Sequence, residues 1–270
     1  MRKKILVVRK MSANEFYYKG KHPSQLIQES SAVHDNTVLE IGKSLRKSKQ
    51  DFAVVTRDEL SEDLVSQYDC VISAGGDGTV IATAFYNKDT PQLNLKTDQR
   101  SLGALCRPDF GQALNEFLND EYALEFWDRQ NVFLDGKFIG RALNEVCVGE
   151  QLKFSKLAKY ALNYFDWVSG NRKEEDQSAS GLIIATGTGS SGWPSAFKQF
   201  SRDAGYFEFR TLLQNKGVLN HGLCSDIEVI YKGHEGKFSI DTVEFDFPRD
   251  SRLKIQRSEY PLRVVVSARK

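Results

Sequence analysis

Apolar residues in the first hundred positions alternate between short strand patterns and amphipathic-helix patterns. Three β-branched or apolar runs, at residues 5–8, 52–56 and 70–74, predict buried strands. Helical spacing of apolar residues predicts helices over 35–48 and, directly after a glycine cluster, over 79–85. Short buried strands that alternate with helices are typical of βαβ units. The pattern therefore predicts an α/β domain with a parallel, Rossmann-like sheet.

The pattern changes after about the first hundred residues, where β-like runs follow one another without helices. In RQNVFLDGKFIGRALNEVCVGE (129–150), two apolar runs are joined by Asp135-Gly136, a strong signal for a β-hairpin. Further β-like runs extend from GLIIA (181–185) to the end of the chain, whereas the polar stretch NRKEEDQSA (171–179) predicts a surface loop. We therefore expect a second domain that is a β-rich sandwich.

These patterns place the α/β domain at residues 1–107 and the β-rich domain at residues 108–250. Residues 251–270 form a C-terminal strand region, and this region is a candidate to return to the first domain. Neither an internal repeat nor a low-complexity linker separates the two predicted domains.

Composition and charge exclude several classes of protein. The 270 residues are 40% hydrophobic and 27% charged, as in soluble globular proteins, and a net charge of +1 gives no reason to expect nucleic acid or a membrane surface as a partner. Neither the four histidines nor the four cysteines, Cys70, Cys106, Cys147 and Cys224, have metal-ligand spacing. We expect the cysteines to be reduced core thiols of a cytoplasmic protein, with no metal held by the protein alone.

The segment Gly75-Gly76-Asp77-Gly78-Thr79 joins a predicted strand to a predicted helix. Glycines let a ligand approach the backbone closely, and a helix start attracts anions, so the segment could bind phosphate. The lysine of a P-loop is missing. Asp77 would be repelled by phosphates unless it accepts a proton or holds a metal. An ordinary Asp-Gly turn that ends the strand explains the five residues equally well.

A second candidate segment, ATGTGSSGW (185–193), follows a buried strand and supplies hydroxyls and accessible amides without charge. Thr188, Ser191, Gly192 and Trp193 could line a pocket for ribose hydroxyls, phosphate oxygens or an adenine edge. A flexible surface loop has the same composition, and this alternative remains open.

A third candidate is the polar pair Asn144-Glu145, which interrupts an apolar run. Burying such a pair costs free energy unless both side chains find partners. Neighbouring residues of a strand point to opposite faces, so the pair can share a ligand only at a bulge or a strand end. Alternatively, Glu145 pairs with a nearby arginine such as Arg141 on a solvated face.

Taken together and in this order, the three segments resemble the NAD kinases. That family carries GGDGT, then an Asn-Glu pair, then a Thr/Gly/Ser-rich loop that ends in an aromatic residue. The wording of RALNEVCVGE and TGTGSSGW is most similar to the mitochondrial-type branch. GGDGT alone is less specific, because lipid kinases related to diacylglycerol kinase share it.

The resemblance implies an α/β domain, a β-sandwich domain and a site in the cleft between them. It implies transfer of a phosphoryl group from ATP to the 2′-hydroxyl of the adenosine ribose of NAD, with Mg²⁺ carried by the donor, in a homodimer or homotetramer. Asp77 would orient the ribose hydroxyl and accept its proton. The residues expected to bind nucleotide are Gly75, Gly76, Gly78, Thr79, Asn144, Glu145, Thr188, Ser191, Gly192 and Trp193.

The chain departs from the family pattern at several positions. Ser180 stands where the family usually has an aspartate, Gly187 replaces a proline, and Trp193 replaces a tyrosine. Lys96 stands where the family usually has an asparagine, and Asp241 is a loose match to a family aspartate near the C-terminus.

Two other functions fit part of the pattern. A lipid kinase of the diacylglycerol or sphingosine type would explain GGDGT, but leaves Asn144-Glu145 and the Thr/Gly/Ser-rich loop without a purpose. A non-catalytic regulator that binds a dinucleotide would keep the pocket but would not need Asp77.

Overall fold

The computed structural model describes residues 2–12, 15, 24–100, 103–153, 155–192 and 197–268. These residues form two compact units. The first unit comprises Met1–Glu125 and Leu262–Lys270, and the second comprises Phe126–Pro261. Each unit has its own sheet.

The strands and helices of both units have the following bounds. The strands are β1 (Lys4–Arg9), β2 (Asp51–Thr56), β3 (Cys70–Gly75), β4 (Gln92–Lys96), β5 (Tyr122–Trp127), β6 (Gln130–Leu134), β7 (Lys137–Ala142), β8 (Glu145–Glu150), β9 (Ala158–Asp166), β10 (Arg172–Ala185), β11 (Phe207–Lys216), β12 (His221–Tyr231), β13 (Gly236–Ile240), β14 (Val243–Phe247), β15 (Arg252–Arg257) and β16 (Leu262–Ser267). The helices are α1 (Gln25–Lys47), α2 (Glu62–Val65), α3 (Asp77–Tyr86), α4 (Phe110–Leu118) and α5 (Gly187–Ser190), with a 3₁₀ turn at Arg57–Glu59.

The first unit contains a six-stranded sheet in the order β2-β1-β3-β4-β16-β5. The pairs β1-β2, β1-β3, β3-β4 and β4-β16 are all parallel, which confirms the predicted α/β fold. Because the strands are parallel, their carboxyl ends lie at one edge, where α/β proteins commonly place their sites. One face packs against α1 and α4 through Ile5, Val7, Ile41, Leu45, Ile72, Leu93, Leu95, Leu114 and Phe117.

The second unit is antiparallel, as predicted for a β-rich domain. Its ten-stranded sheet follows the order β14-β13-β8-β10-β11-β12-β15-β6-β7, and β9 pairs with both β10 and β12. Asp135 and Gly136 form the predicted hairpin turn between β6 and β7, with φ angles of 50° and 82°. Both residues are in the left-handed region that a two-residue hairpin loop requires.

The predicted domain boundaries differ from those of the structure. The first unit does not end at residue 107, because α4 follows and buries Ala113, Leu114 and Phe117 in the core of the first sheet. The second unit does not end at residue 250, because β15 pairs with both β12 and β6. Of the predicted C-terminal region 251–270, β15 lies in the second sheet and β16 lies in the first sheet.

Two element predictions were also wrong. The polar segment 171–179 is not a loop, because residues 172–179 pair with residues 158–165 of β9. The charged residues 172, 174 and 176 are exposed, and the charged residues 173 and 175 are half-buried. The first helix starts at Gln25 rather than near residue 35. Its buried face includes Ser31, His34 and Thr37, and these polar residues hide the helical period of apolar positions.

None of the described helices is long and apolar enough to cross a membrane.

His34 is a fully buried polar residue of α1. Its Nε2 lies 3.0 Å from the carbonyl oxygen of Lys10 and its Nδ1 lies 2.8 Å from Oγ1 of Thr97. The carbonyl can only accept, so Nε2 carries the proton and Nδ1 accepts from the threonine hydroxyl. Burial, together with the charge of Lys10, lowers the pKa of His34 to about 4.

The lowered pKa of His34 predicts a loss of stability in mild acid. The unfolded chain binds a proton at this residue below a pH of about 6.5, whereas the folded chain does not until about pH 4. The free energy of unfolding should therefore fall by up to about 3 kcal/mol across that range through this residue alone. Urea unfolding of wild type and His34→Gln at pH 7 and pH 5 measures the difference. Equal pH dependence of the two proteins would contradict the assignment.

Candidate active-site residues

The GGDGT segment joins β3 to α3 without an intervening turn. Gly75 is the last residue of β3, Gly76 caps the helix in an extended conformation, and Asp77 is the first helical residue. The carbonyl oxygen of Gly76 accepts from the amides of Thr79 at 2.8 Å and Val80 at 3.2 Å. The alternative of an Asp-Gly turn is therefore wrong, and the segment is the start of a helix.

The glycines of the segment have different physical roles. A Cβ on Gly75 would lie 2.2 Å from Oγ1 of Thr79, so this position is restricted to glycine by the threonine packed against it. Thr79 itself is only 2% exposed. At the exposed Gly78, a Cβ would meet nothing closer than Nη1 of Arg57, at 3.8 Å. Gly78 thus leaves the backbone at the helix start open to a ligand.

The Asp77 carboxylate is held by backbone amides of the segment that follows β4. The Ala104 amide donates to Oδ2 at 3.0 Å, and the Leu105 amide donates to Oδ1 at 2.9 Å. A Cβ on Gly103 would lie 2.9 Å from Oδ1, so glycine at this position permits the close approach. The Cys106 thiol also donates to Oδ1, with its Sγ at 4.0 Å, whereas Oδ2 accepts from Ala104 and has a second lone pair that can accept from a substrate hydroxyl.

In the second unit, Asn144 and Glu145 lie where β7 has ended and β8 begins. A strand end was one of the two arrangements in which neighbouring side chains could serve one ligand. The bend at residues 143–144 is stabilised by Asp241, whose carboxylate accepts from the amides of Leu143 at 2.9 Å, Asn144 at 2.8 Å and Glu145 at 3.1 Å. In return, the Asp241 amide donates to the carbonyl oxygen of Glu145 at 2.9 Å.

Asp241 lies in the turn between β13 and β14, with a φ angle of 52°. Burial raises the pKa of its carboxyl group to about 6, and the three backbone amides act in the opposite direction. From the sequence, this residue was only a loose match to a family aspartate. Its role depends on long-range contacts that no local pattern shows.

The Thr/Gly/Ser-rich segment is not a flexible surface loop. Thr186 caps the short helix α5 by accepting from the Gly189 amide at 3.1 Å, and its hydroxyl donates to the carbonyl oxygen of Leu143 at 2.6 Å. A Cβ on Gly189 would lie 2.2 Å from the carbonyl oxygen of Asn144, and one on Gly187 would lie 1.9 Å from that of Ser201. The two predicted binding segments of the second unit are therefore in direct contact.

Two polar atoms at this contact lack a partner within the described residues. Oδ1 of Asn144 and Oγ1 of Thr188 are both buried and make no hydrogen bond there. Such groups cost free energy unless a ligand or water satisfies them. Ser191 donates its hydroxyl to the carbonyl oxygen of Thr188 at 2.9 Å, while the predicted residue Trp193 lies outside the described residues.

A small apolar cavity of about 200 Å³ lies in the second unit, lined by β8, β10 and their neighbours. Ser180, the residue that replaces a family aspartate, contributes to its wall together with Cys147 and Leu182. Burial raises the pKa of the Cys147 thiol to about 12, so this thiol is protonated near neutral pH. Within the described residues there is no group of three or more His, Cys, Asp or Glu side chains that could hold a metal.

Comparison with known proteins identifies the relatives of this chain. "NAD kinase 2, mitochondrial" from Xenopus tropicalis is 28% identical over 266 residues, which cover 77% of this chain and 62% of the relative. This chain thus spans less than two thirds of that protein. No protein-family model matches the chain.

Solved structures show the same fold. An NAD kinase from Archaeoglobus fulgidus, solved in complex with ATP, has a TM-score of 0.70 and 20% identity, with 98% of this chain and 94% of that chain covered. In sequence and in fold, the chain is similar to the NAD kinases. A yeast NADH kinase solved with NADH has a TM-score of 0.73 and 14% identity, with 98% and 84% covered. The resemblance predicted from the three motifs is therefore confirmed, including its mitochondrial-type wording.

The contacts of Asp241 predict that Asp241→Asn destabilises the second unit. An asparagine side chain offers one acceptor oxygen instead of two and turns an NH₂ group towards a backbone amide. We expect a loss of about 2 to 3 kcal/mol in the free energy of unfolding, together with faster hydrogen exchange at the amides of residues 143–145.

Asp246→Asn is the matched control for Asp241→Asn. Asp246 lies in the same hairpin, but it is exposed and pairs only with Lys237 at the surface, so its replacement should cost less than about 1 kcal/mol. Urea unfolding measures both variants. An equal loss in the free energy of unfolding would show that the three amide contacts of Asp241 do not stabilise the second unit more than a surface ion pair does.

Proposed function

We propose that this chain is an NAD kinase, which transfers the terminal phosphoryl group of ATP to the 2′-hydroxyl of the adenosine ribose of NAD and yields NADP. The observation that carries the proposal is the Asp77 carboxylate, fixed by the amides of Ala104 and Leu105 beside the open helix start at Gly78. Support also comes from the relatives named NAD kinase and from a neighbour solved with ATP.

The chemistry assigns Asp77 the role of general base. A bond forms between the ribose 2′-oxygen and the γ-phosphorus, the bond from that phosphorus to the β,γ-bridging oxygen breaks, and ADP leaves. The proton of the 2′-hydroxyl passes to Asp77. A carboxylate held by two backbone amides keeps one orientation, so the hydroxyl is positioned as well as deprotonated.

The second requirement of the reaction is that the negative charge on the transferred phosphoryl group is stabilised. The amides at the start of α3 and the positive end of its dipole favour the phosphate oxygens near Gly78. Mg²⁺ bound to the phosphates of the donor would neutralise part of their charge. Because the described residues hold no cluster of metal-binding side chains, we propose that the ion arrives with the donor.

The second unit supplies residues for the dinucleotide. Asn144 and Glu145 would hydrogen-bond NAD at the start of β8, and the buried Oδ1 of Asn144 and Oγ1 of Thr188 are acceptors suited to hydroxyl or amide donors. Ser191, Gly192 and Trp193 are the further residues of this unit that we propose to bind NAD.

Two further properties are also proposals. A cytoplasmic location is supported by the four free cysteines, none of which forms a disulfide. Assembly into a homodimer or homotetramer is supported by the resemblance to the NAD kinases. Light scattering of the purified protein tests the second of these proposals.

The general-base assignment predicts that Asp77→Asn lowers kcat for NADP formation by about a hundredfold to ten-thousandfold. Binding of ATP should be retained, because the backbone amides of α3 are unchanged. Asp89→Asn, which removes an exposed carboxylate paired with Arg263, should be as active as wild type.

The acceptor and donor are tested in the same assay. NAD, NADH, diacylglycerol and sphingosine are offered with ATP or polyphosphate, and phosphorylated products are measured. Phosphorylation of a lipid and not of NAD would contradict the proposed function. Full activity of Asp77→Asn would contradict the assignment of Asp77 as the general base. Dinucleotide binding with no turnover would favour the non-catalytic regulator.

A further inference from the structure

Lys96 is the last residue of β4, and it lies beside the GGDGT segment. Its Cα is opposite that of Gly75 in the parallel pairing of β4 with β3. Its amide donates to the carbonyl oxygen of Arg107 at 3.0 Å, and the next amide, that of Thr97, donates to the carbonyl oxygen of Gly75 at 3.1 Å. The backbone of Lys96 is thus fixed at the carboxyl edge of the sheet, next to the start of α3.

The side chain of Lys96 extends towards the Asp77 carboxylate. A Cβ on Gly103 would lie 3.6 Å from Cε of Lys96 and 2.9 Å from Oδ1 of Asp77, so both side chains reach the same glycine. Cys106 gives a second sign of this proximity. Burial and the charge of Asp77 raise the pKa of its thiol to about 12, and the charge of Lys96 opposes that change.

The Lys96 ammonium group has neither an ion pair nor a hydrogen-bond acceptor among the described residues, although the side chain is half-buried. Asp77, the nearby carboxylate, is instead held by the amides of Ala104 and Leu105. The ammonium group therefore has hydrogen-bond donors that an anionic ligand could accept from.

We propose that Lys96 binds the phosphoryl group that is transferred to the acceptor. The inference rests on the proposed function. The ligand class is the terminal phosphate of a nucleoside triphosphate or of polyphosphate, whose non-bridging oxygens accept hydrogen bonds from the ammonium group. Lys96 takes no part in the proton transfer, because the proton of the acceptor hydroxyl goes to Asp77. Its charge stabilises the charge on the phosphoryl oxygens in the transition state.

A second cation lies beside the same segment. Nη1 of Arg57 lies 3.8 Å from the position of a Cβ on Gly78, and Arg57 also has no ion pair within the described residues. Cations next to Asp77 and next to Gly78 suit a ligand with several negative charges, such as the chain of phosphates in the donor. A neutral acceptor hydroxyl alone would need neither cation.

The test compares Lys96→Gln with Lys96→Arg and with the control Lys47→Gln. Lys47 is exposed in the last turn of α1, which leads into the amino end of β2 and so lies at the opposite edge of the sheet. For Lys96→Gln we expect kcat/KM for ATP to fall about tenfold to a hundredfold, with KM for NAD and the thermal midpoint nearly unchanged. Lys96→Arg should recover part of the loss, and Lys47→Gln should behave as wild type.

Calorimetric titration with magnesium and adenylyl imidodiphosphate, an ATP analogue that is not hydrolysed, separates this inference from the proposed function. Affinity for the analogue should fall about tenfold in Lys96→Gln. If wild type forms no NADP, the proposed function fails, and the titration alone then decides on Lys96. Unchanged analogue affinity and unchanged kcat/KM for ATP in Lys96→Gln would overturn the inference. The inference would also be overturned if Lys96→Gln weakened kcat/KM for ATP and KM for NAD equally and lowered the thermal midpoint, because a purely structural role of Lys96 predicts that result.

Discussion

Two hydrogen bonds to the Asp77 carboxylate, from the amides of Ala104 and Leu105, are the contact on which the proposed chemistry of the first unit depends. They connect the end of β3 to the segment after β4, and they are possible because parallel strands place both ends at one edge of the sheet. Gly103 has no side chain that would prevent this approach. The Asp77 carboxylate is therefore held mainly by backbone amides, and the Cys106 thiol, with its Sγ 4.0 Å from Oδ1, is the neighbouring side-chain donor.

The second unit also contains a carboxylate that is held by backbone amides. Asp241 accepts from three consecutive amides, and the bend that it stabilises places Asn144 and Glu145 at the start of β8. Thr186 then connects this bend to the short helix that carries Thr188. In both units a carboxylate bound by backbone amides fixes the position of a segment to which we assign a function. The two carboxylates differ in position. Asp77 lies at the open start of a helix, whereas Asp241 is buried and holds the bend at residues 143–145.

The sequence predicted the features that depend on local patterns. Strand and helix periodicity predicted the two kinds of sheet, and Asp135-Gly136 predicted its hairpin because that turn requires left-handed φ angles. Contacts between distant residues could not be predicted in this way. The amides that hold Asp77, the role of Asp241 and the pairing of the polar segment 172–179 with β9 all depend on residues far apart in the chain. Burial of His34 within α1 likewise depends on a partner, Thr97, that lies beyond β4.

The proposed activity of the chain is phosphorylation of the 2′-hydroxyl of the adenosine ribose of NAD. Incubation of the purified protein with NAD, ATP and Mg²⁺, followed by ³¹P NMR of the dinucleotide product, tests it directly. The account predicts a new phosphomonoester on the 2′-oxygen of the adenosine ribose, formed together with one equivalent of ADP. Release of inorganic phosphate from ATP without any phosphorylated dinucleotide, or a phosphate on another hydroxyl, would contradict it.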